Sequence, residues 1–183
     1  KVFRSTLPFA RIKRLDVTKA RALHGVACVI TAAELPDGTL VTDMPGQTGQ
    51  SRRAGSDAKA LAVDVVRFAG EPIALVAAET PELAQKALDL IEIEYEPLQG
   101  VFDPLEALKP GAPVVYEPDN IVASWKVNKG DIGLGFEQAD LIVENTFTVP
   151  FVDHAYIEPE AGLAWVDDQQ VVNIRVCTQV VEH

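Results

Sequence analysis

The sequence predicts an α+β fold in which a mixed domain is followed by the opening strands of an antiparallel sheet. Three observations carry this expectation. Residues 66–98 read as strand, turn, strand, helix and strand: Val66-Arg67-Phe68-Ala69-Gly70-Glu71-Pro72-Ile73-Ala74 leads into Thr80-Pro81 and then Ile91-Glu92-Ile93-Glu94-Tyr95-Glu96. From Asp140 onward the helical punctuation gives way to alternating apolar and polar residues. The composition, 48% hydrophobic and 23% charged over 183 residues, allows one ample core or two small ones and argues against disorder.

The elements follow in order. Residues 9–17 form a strand whose alternation is blurred by Arg11, Lys13 and Arg14. Thr18 opens a single helical turn that His24-Gly25 ends. Residues 26–30 are a short apolar run, the mark of a buried strand. Thr31 can accept the amide hydrogens of a turn over residues 32–35, which Pro36-Asp37-Gly38 closes. Residues 42–57, rich in Gly, Ser, Thr, Gln and Asp, make the longest loop-like stretch, locally basic at Arg52 and Arg53. That tip suits an anion or partner contact, although a solvated loop explains it as well.

Residues 63–68 and 73–78 are predicted strands joined by Gly70-Glu71-Pro72. Thr80 caps the next helix and Pro81 fills its first position, where a missing N–H costs nothing. Leu83, Ala84, Ala87, Leu88 and Ile91 recur at helical spacing and make its buried stripe. Ile91, Ile93 and Tyr95 then alternate with Glu92, Glu94 and Glu96, a strand whose acidic row reads as a solvated face rather than a metal site. Asp103-Pro104 starts a short helix ended by Pro110-Gly111, and residues 113–118 read as an extended edge. Residues 121–127 are strand-like, and Asp131 caps a weak turn that Phe136 anchors. Residues 140–149 predict a long strand, and residues 161–166 and 171–178 two more, joined by the hairpin Asp167-Asp168-Gln169-Gln170. The resulting domains are 1–125, a connection at 126–139, and 140–183.

Several function classes are disfavoured. A net charge of -11 opposes a nucleic-acid surface, which needs a basic stripe. No apolar run reaches membrane-spanning length. Cys28 and Cys177, the only two cysteines, sit in apolar runs and are expected to be buried free thiols in a reducing, cytoplasmic setting. With no C-x-x-C, this chain by itself holds no iron–sulfur cluster or ordinary structural zinc. The glycines of Gly130-Asp131-Ile132-Gly133-Leu134-Gly135 do not have dinucleotide-binding spacing, and G-x-S-x-G and H-E-x-x-H are absent. One constellation remains: Asp153-His154-Ala155-Tyr156-Ile157-Glu158. On a helix His154 and Glu158 would share a face, but Pro150 and Pro159 bracket the segment, and a structural histidine bonded to backbone is the plainer reading.

These residues together resemble a known family. Lys1-Val2-Phe3-Arg4-Ser5-Thr6-Leu7-Pro8-Phe9-Ala10-Arg11-Ile12 is similar to the RSP-x-AHARI opening strand of the molybdenum hydroxylases, the xanthine dehydrogenase and aldehyde oxidase family. The likeness continues through Gly25-Val26-Ala27-Cys28-Val29-Ile30-Thr31-Ala32 and Leu61-Ala62 and is strongest at residues 66–74. It ends in Gly130-Asp131, Phe136, Ala139-Asp140, Glu144 and His154-Ala155-Tyr156-Ile157-Glu158-Pro159-Glu160.

The resemblance implies an α/β hammerhead domain over 1–125 and, from 140, the start of the first molybdopterin-binding domain. It implies a large subunit that hydroxylates an aldehyde or N-heterocycle carbon with oxygen from water. Electrons would leave through Fe–S and in some members FAD modules, on partner subunits or on other parts of a fused chain. The glycine-rich G-G-x-F-G-[GK] loop and the late G-x-G-E glutamate of the family are absent from these 183 residues. Some members place a glutamine near the metal, where this chain reads Pro150-Phe151-Val152-Asp153. No catalytic or metal-binding residue is therefore carried over, and His154 and Glu158 are expected to support the cofactor domain structurally. No initiator methionine opens the chain, and a strand-like run stops at His183. The expectation is accordingly a scaffold piece of a larger enzyme, binding no cofactor alone, partnered by the remainder of its subunit and prone to self-association in isolation. The alternative is a stand-alone, non-catalytic binding or assembly module with a hammerhead-like fold.

Overall fold

The computed structural model describes residues 1–36, 59–121, 124, 126–150, 152–153, 155–159 and 161–177. The chain divides into two compact units, Lys1–Trp125 and Lys126–His183. The expected loop over residues 42–57, with Arg52 and Arg53, and the turn at Asp37-Gly38 lie outside the described residues.

The first unit holds two three-stranded antiparallel sheets. One has the order β1 (Val2–Arg4), β5 (Pro72–Ala78), β3 (Val26–Thr31); the other has β4 (Val65–Val66), β2 (Ala10–Asp16), β6 (Glu92–Pro97). Helices α1 (Thr18–Arg21) and α2 (Pro81–Asp89) contact the first of these sheets. Thr80 starts α2 as expected, its hydroxyl accepting from the Leu83 N–H at 3.2 Å with Pro81 at the first helical position. Thr31 and Glu34 form a reciprocal capping box around the 3₁₀ turn Ala32–Glu34.

Val17, Ala20, Val29, Ala74, Val76, Ala84, Ala87 and Ile91 form one buried cluster, and Ala10, Ala62, Val66 and Ile73 a second. Phe3 and Leu15 pack against both and make the core continuous. The first cluster is rich in alanine, which lets the helices approach the sheet closely.

The predicted strand at 63–68 is reduced to the two residues of β4, which pairs with β2 and not with β5. Residues 67–71 instead build a corner that passes the chain from one sheet to the other. Gly70, at φ 92°, donates its N–H to the Ser5 carbonyl at 2.8 Å, and the Ser5 N–H returns to the Glu71 carbonyl at 2.9 Å. The Glu71 side chain, only 8% exposed, turns in and accepts from the Arg67 N–H. A positive φ at Gly70 is what allows this reversal without a side-chain clash.

The acidic row of β6 faces a basic one. Glu96 pairs with Lys13 at 3.0 Å and Arg11 at 3.5 Å, Glu92 pairs with Lys19, and Glu94 lies opposite Arg14 in register. Lys13 and then Arg11 hold the Glu96 carboxyl below its ordinary range. Glu96 and Glu94 thus meet basic residues across the strands, while Glu92, opposite Asp16, is met by Lys19 from α1.

Cysteine placement departs from expectation. Cys28 is exposed, because β3 is an edge strand and its register shifts between Val26 and Cys28. Cys177 is half-buried, and both thiols are free.

Asp103 starts α3 (Pro104–Ala107), its Oδ1 accepting from Leu105 N–H at 2.7 Å and Glu106 N–H at 2.9 Å. Residues 113–118, expected to be an extended edge, form no strand, and residues 115–118 are bends and turns beside Asn120. Asn120 Oδ1 accepts from the Val115 and Tyr116 N–H groups at 2.8 and 3.0 Å, while Nδ2 donates to the Ala107 and Pro113 carbonyls at 3.1 and 2.9 Å. Its φ of 63° is a conformation asparagine tolerates better than most residues. No strand forms at the described positions of the run expected at 121–127.

The second unit contains α4 (Ile132–Glu137), started by Asp131 Oδ1 accepting from Leu134 N–H at 3.0 Å, and the antiparallel hairpin β7 (Gly162–Val166) and β8 (Val172–Val176). The long strand expected at 140–149 is not formed: among the described residues no ladder partner engages it, and alternation alone cannot supply one.

The capping box and the Asn120 turn can each be tested. The Glu34 carboxyl is lowered from its ordinary 4.5 to about 2, first by the Thr31 hydroxyl, then by the Thr31 N–H, with Arg21 adding to it. A lowered carboxylate stabilises the fold above its unfolded value and loses that contribution as pH falls toward its folded value. The melting difference between the native chain and Glu34→Gln, on the order of 1 kcal/mol after allowance for solvent screening, should persist above pH 4.5 and vanish near pH 2. Separately, Asn120→Ala should speed amide exchange at Val115 and Tyr116 about tenfold or more, measured by NMR, since both lose the Asn120 acceptor.

Candidate functional site

The segment singled out by sequence, 153–158, lies in the second unit and leads into β7. His154 lies outside the described residues. The described part forms no helix between Pro150 and Pro159, and Ala155 sits at φ 50°, so the shared helical face does not arise. The two prolines break the hydrogen-bond ladder that such a face requires. Asp153, Tyr156 and Glu158 are exposed.

A clasp not foreseen from sequence holds the end of this segment. The Cys177 thiol donates to the Pro159 carbonyl at 3.3 Å, and the Cys177 N–H donates to the Ala161 carbonyl at 3.2 Å, so the far end of β8 closes over the residues entering β7. At the turn, Asp167 Oδ1 accepts from the Gln169 and Val171 N–H groups at 2.9 and 3.0 Å, and Oδ2 accepts from Asn173 Nδ2 at 2.9 Å. Asn173 first, then the Val171 amide, hold the Asp167 carboxyl below its usual range. An aspartate opening a four-residue loop, able to bond amides two and four positions on, was the available sequence signal.

The hairpin register sorts its side chains. Val176, Ala164, Ile174, Val166 and Val172 share one face, while Leu163, Trp165, Asn173 and Arg175 share the other. Val172 and Ile174 are 65% and 69% exposed, and Leu163 on the opposite face is 62% exposed. The first face is apolar throughout, the chemistry of a packing surface, while the second mixes Leu163 and Trp165 with Asn173 and Arg175. Leu141, Val143, Phe147 and Val149 are likewise exposed. These residues offer packing surface rather than reactive groups.

No set of three or more His, Cys, Asp or Glu among the described residues could hold a metal ion. With Asp153, Tyr156 and Glu158 all in solvent, the described residues do not form a cradle for a bound group. The apolar exposure does make a prediction. The isolated chain should self-associate in light scattering at high concentration, and Ile174→Asp should shift it toward monomer. A clean monomer for the unaltered chain would contradict this.

Known proteins share both the sequence and the fold. The family model described as aldehyde oxidase and xanthine dehydrogenase, a/b hammerhead domain, matches residues 1–99, and the model for a molybdopterin cofactor-binding domain matches residues 115–183. The chain is 38% identical over 182 residues to the nicotinate dehydrogenase large molybdopterin subunit of Eubacterium barkeri, covering 97% of this chain and 40% of that protein. It is 36% identical over 172 residues to a probable xanthine dehydrogenase subunit of Bacillus subtilis strain 168, covering 92% of this chain and 21% of the relative. Among solved structures, the aldehyde oxidoreductase from Desulfovibrio gigas superposes with a TM-score of 0.79 at 25% identity, over 96% of this chain and 20% of that one. The chain thus spans less than half the length of these relatives.

Proposed function

The chain belongs to the aldehyde oxidase and xanthine dehydrogenase family, and from that membership we propose that it is the front part of the molybdopterin-binding large subunit of a molybdenum-dependent oxidoreductase. The observation that carries this reading is the order of the two matched domain models, hammerhead over 1–99 and molybdopterin cofactor-binding over 115–183. In this reading residues 1–125 are the hammerhead domain, 126–139 a connection, and 140–183 the opening of the first molybdopterin-binding domain. The whole enzyme hydroxylates an aldehyde or N-heterocycle carbon with oxygen from water and passes the electrons to Fe–S and FAD modules.

Molybdenum–molybdopterin supplies the redox chemistry of such an enzyme when bound. The described residues of the second unit do not fit that group on their own, so no step of the reaction is assigned to them. Their part is to scaffold. The exposed hairpin supplies sheet and packing surface for the remainder of the subunit, and His154 and Glu158 serve as structural support near the cofactor domain. Among the described residues no helix is long and apolar enough to cross a membrane. The setting that goes with this reading is the cytoplasm, where free thiols such as Cys28 and Cys177 stay reduced.

The test is made on the whole parent protein. Molybdenum and molybdopterin should copurify with it, and turnover of an aldehyde or N-heterocycle in ¹⁸O-water should place the label in the product. A parent protein lacking the metal, the glycine-rich loop and the late G-x-G-E glutamate would sink the proposal and leave the stand-alone binding module. Glu158→Gln in that parent should lower cofactor content without altering the pH profile of the enzyme molecules that remain loaded. A changed profile would assign Glu158 a direct role.

A further inference from the structure

Strand β3 closes one side of its sheet, and its outer edge can be read group by group. Val76 of β5 gives its N–H to the Lys1 carbonyl at 2.8 Å and takes the Lys1 amine at its own carbonyl at 2.6 Å, so both its backbone groups face the β1 side. Val29, opposite Val76 in the ladder, is therefore in the kind of pair that exchanges no backbone hydrogen bonds. Its N–H and C=O point outward, and two residues on, those of Thr31 do the same. An added strand would engage these groups.

Side chains already hold one of these groups on each residue, the Val29 carbonyl and the Thr31 N–H. Arg21, at the end of α1, donates through Nη2 and Nε to the Val29 carbonyl at 3.0 and 3.3 Å. Glu34 Oε2 accepts the Thr31 N–H at 2.7 Å and the Thr31 hydroxyl at 2.7 Å. Arg21 and Glu34 are themselves an ion pair. A residue of a parallel neighbouring strand would supply one N–H to the first carbonyl and one C=O to the N–H two positions on. The ion pair presents the same donor and the same acceptor at the same two places.

We infer that the Arg21–Glu34 pair is a plug that stands in for a missing strand and closes the β3 edge against pairing with the β3 edge of a second copy of this chain. A second copy is the fitting occupant because two identical edges related by a twofold axis pair antiparallel, and that pairing needs the outward Val29 carbonyl and Thr31 N–H that Arg21 and Glu34 occupy. Ala27 and Cys28, beside the plugged groups, are small and exposed, and among the described residues leave the plug as the barrier on this stretch. This inference rests on the first unit alone and stands apart from the enzyme assignment.

The experiment uses the full 183-residue chain carrying Cys177→Ser, which leaves Cys28 as its only thiol. A short bismaleimide then reports edge-to-edge pairing at Cys28, separately from association through the β7–β8 hairpin. Opening the plug with Arg21→Ala plus Glu34→Ala should raise the Cys28–Cys28 cross-linked fraction about tenfold at equal concentration. Adding Ala27→Lys, a charge on the edge, should return it to the parent level. Cross-linking at the parent level in an opened variant that melts as a folded protein would overturn the inference, as would a rise that Ala27→Lys leaves unchanged. If the double variant does not fold, Glu34→Gln decides: it removes the charge that holds Arg21 yet keeps an acceptor for Thr31, and it too should raise the cross-link.

Discussion

Strand β5 is paired on both edges and buried along the face that carries Ala74 and Val76, and the first unit is organised by that confinement. β1 and β3 take its two edges, while Ile73 enters one core cluster and Ala74 and Val76 the other. A strand so placed has little freedom of register, because a one-residue slip would turn Ala74 and Val76 out of their cluster and bring the exposed Leu75 and Ala77 in. The corner at Gly70 and Glu71 and the cap at Thr80 fix where the strand begins and where it gives way to α2. The second sheet is then located by the residues it shares with the first core, Phe3 and Leu15.

Local chemistry was legible wherever a side chain acts on its own stretch of backbone. Thr31, Thr80, Asp103 and Asp131 all start the turns or helices expected of them, and the β7–β8 hairpin turns at Asp167. What failed depended on partners distant in sequence. Residues 66 and 73 look like facing strands when read along the chain, yet each pairs elsewhere. Cys28 reads as interior until its strand is known to be an edge. Residues 113–118 read as extended because proline dominates a propensity argument, whereas a single asparagine organises them through four side-chain hydrogen bonds. The candidate segment at 153–158 was legible as a motif and not as geometry, since nothing local says what will stand against Glu158.

The two units solve the burial problem differently. In the first, alternation along β6 puts Ile93 and Tyr95 inward and sends the glutamates to meet Lys13, Arg11 and Lys19. In the second, alternation along the hairpin separates an apolar face from a mixed one, and the described residues leave the apolar Val172 and Ile174 exposed. Family membership accounts for the contrast: the hammerhead match falls on the unit with its own core, and the cofactor-domain match runs through the one without.

The alanines that line the helix–sheet contact have a consequence for how this protein can vary. Ala20, Ala74, Ala84 and Ala87 are almost wholly buried in one shared cluster. A larger side chain at any one of them must push a helix off the sheet or be matched by a smaller residue among neighbours such as Val76, Ile91 or Leu88. Change at these positions is therefore tied to change in what packs against them. The charged pairs outside can drift residue by residue, whereas the spacing inside has to be inherited whole.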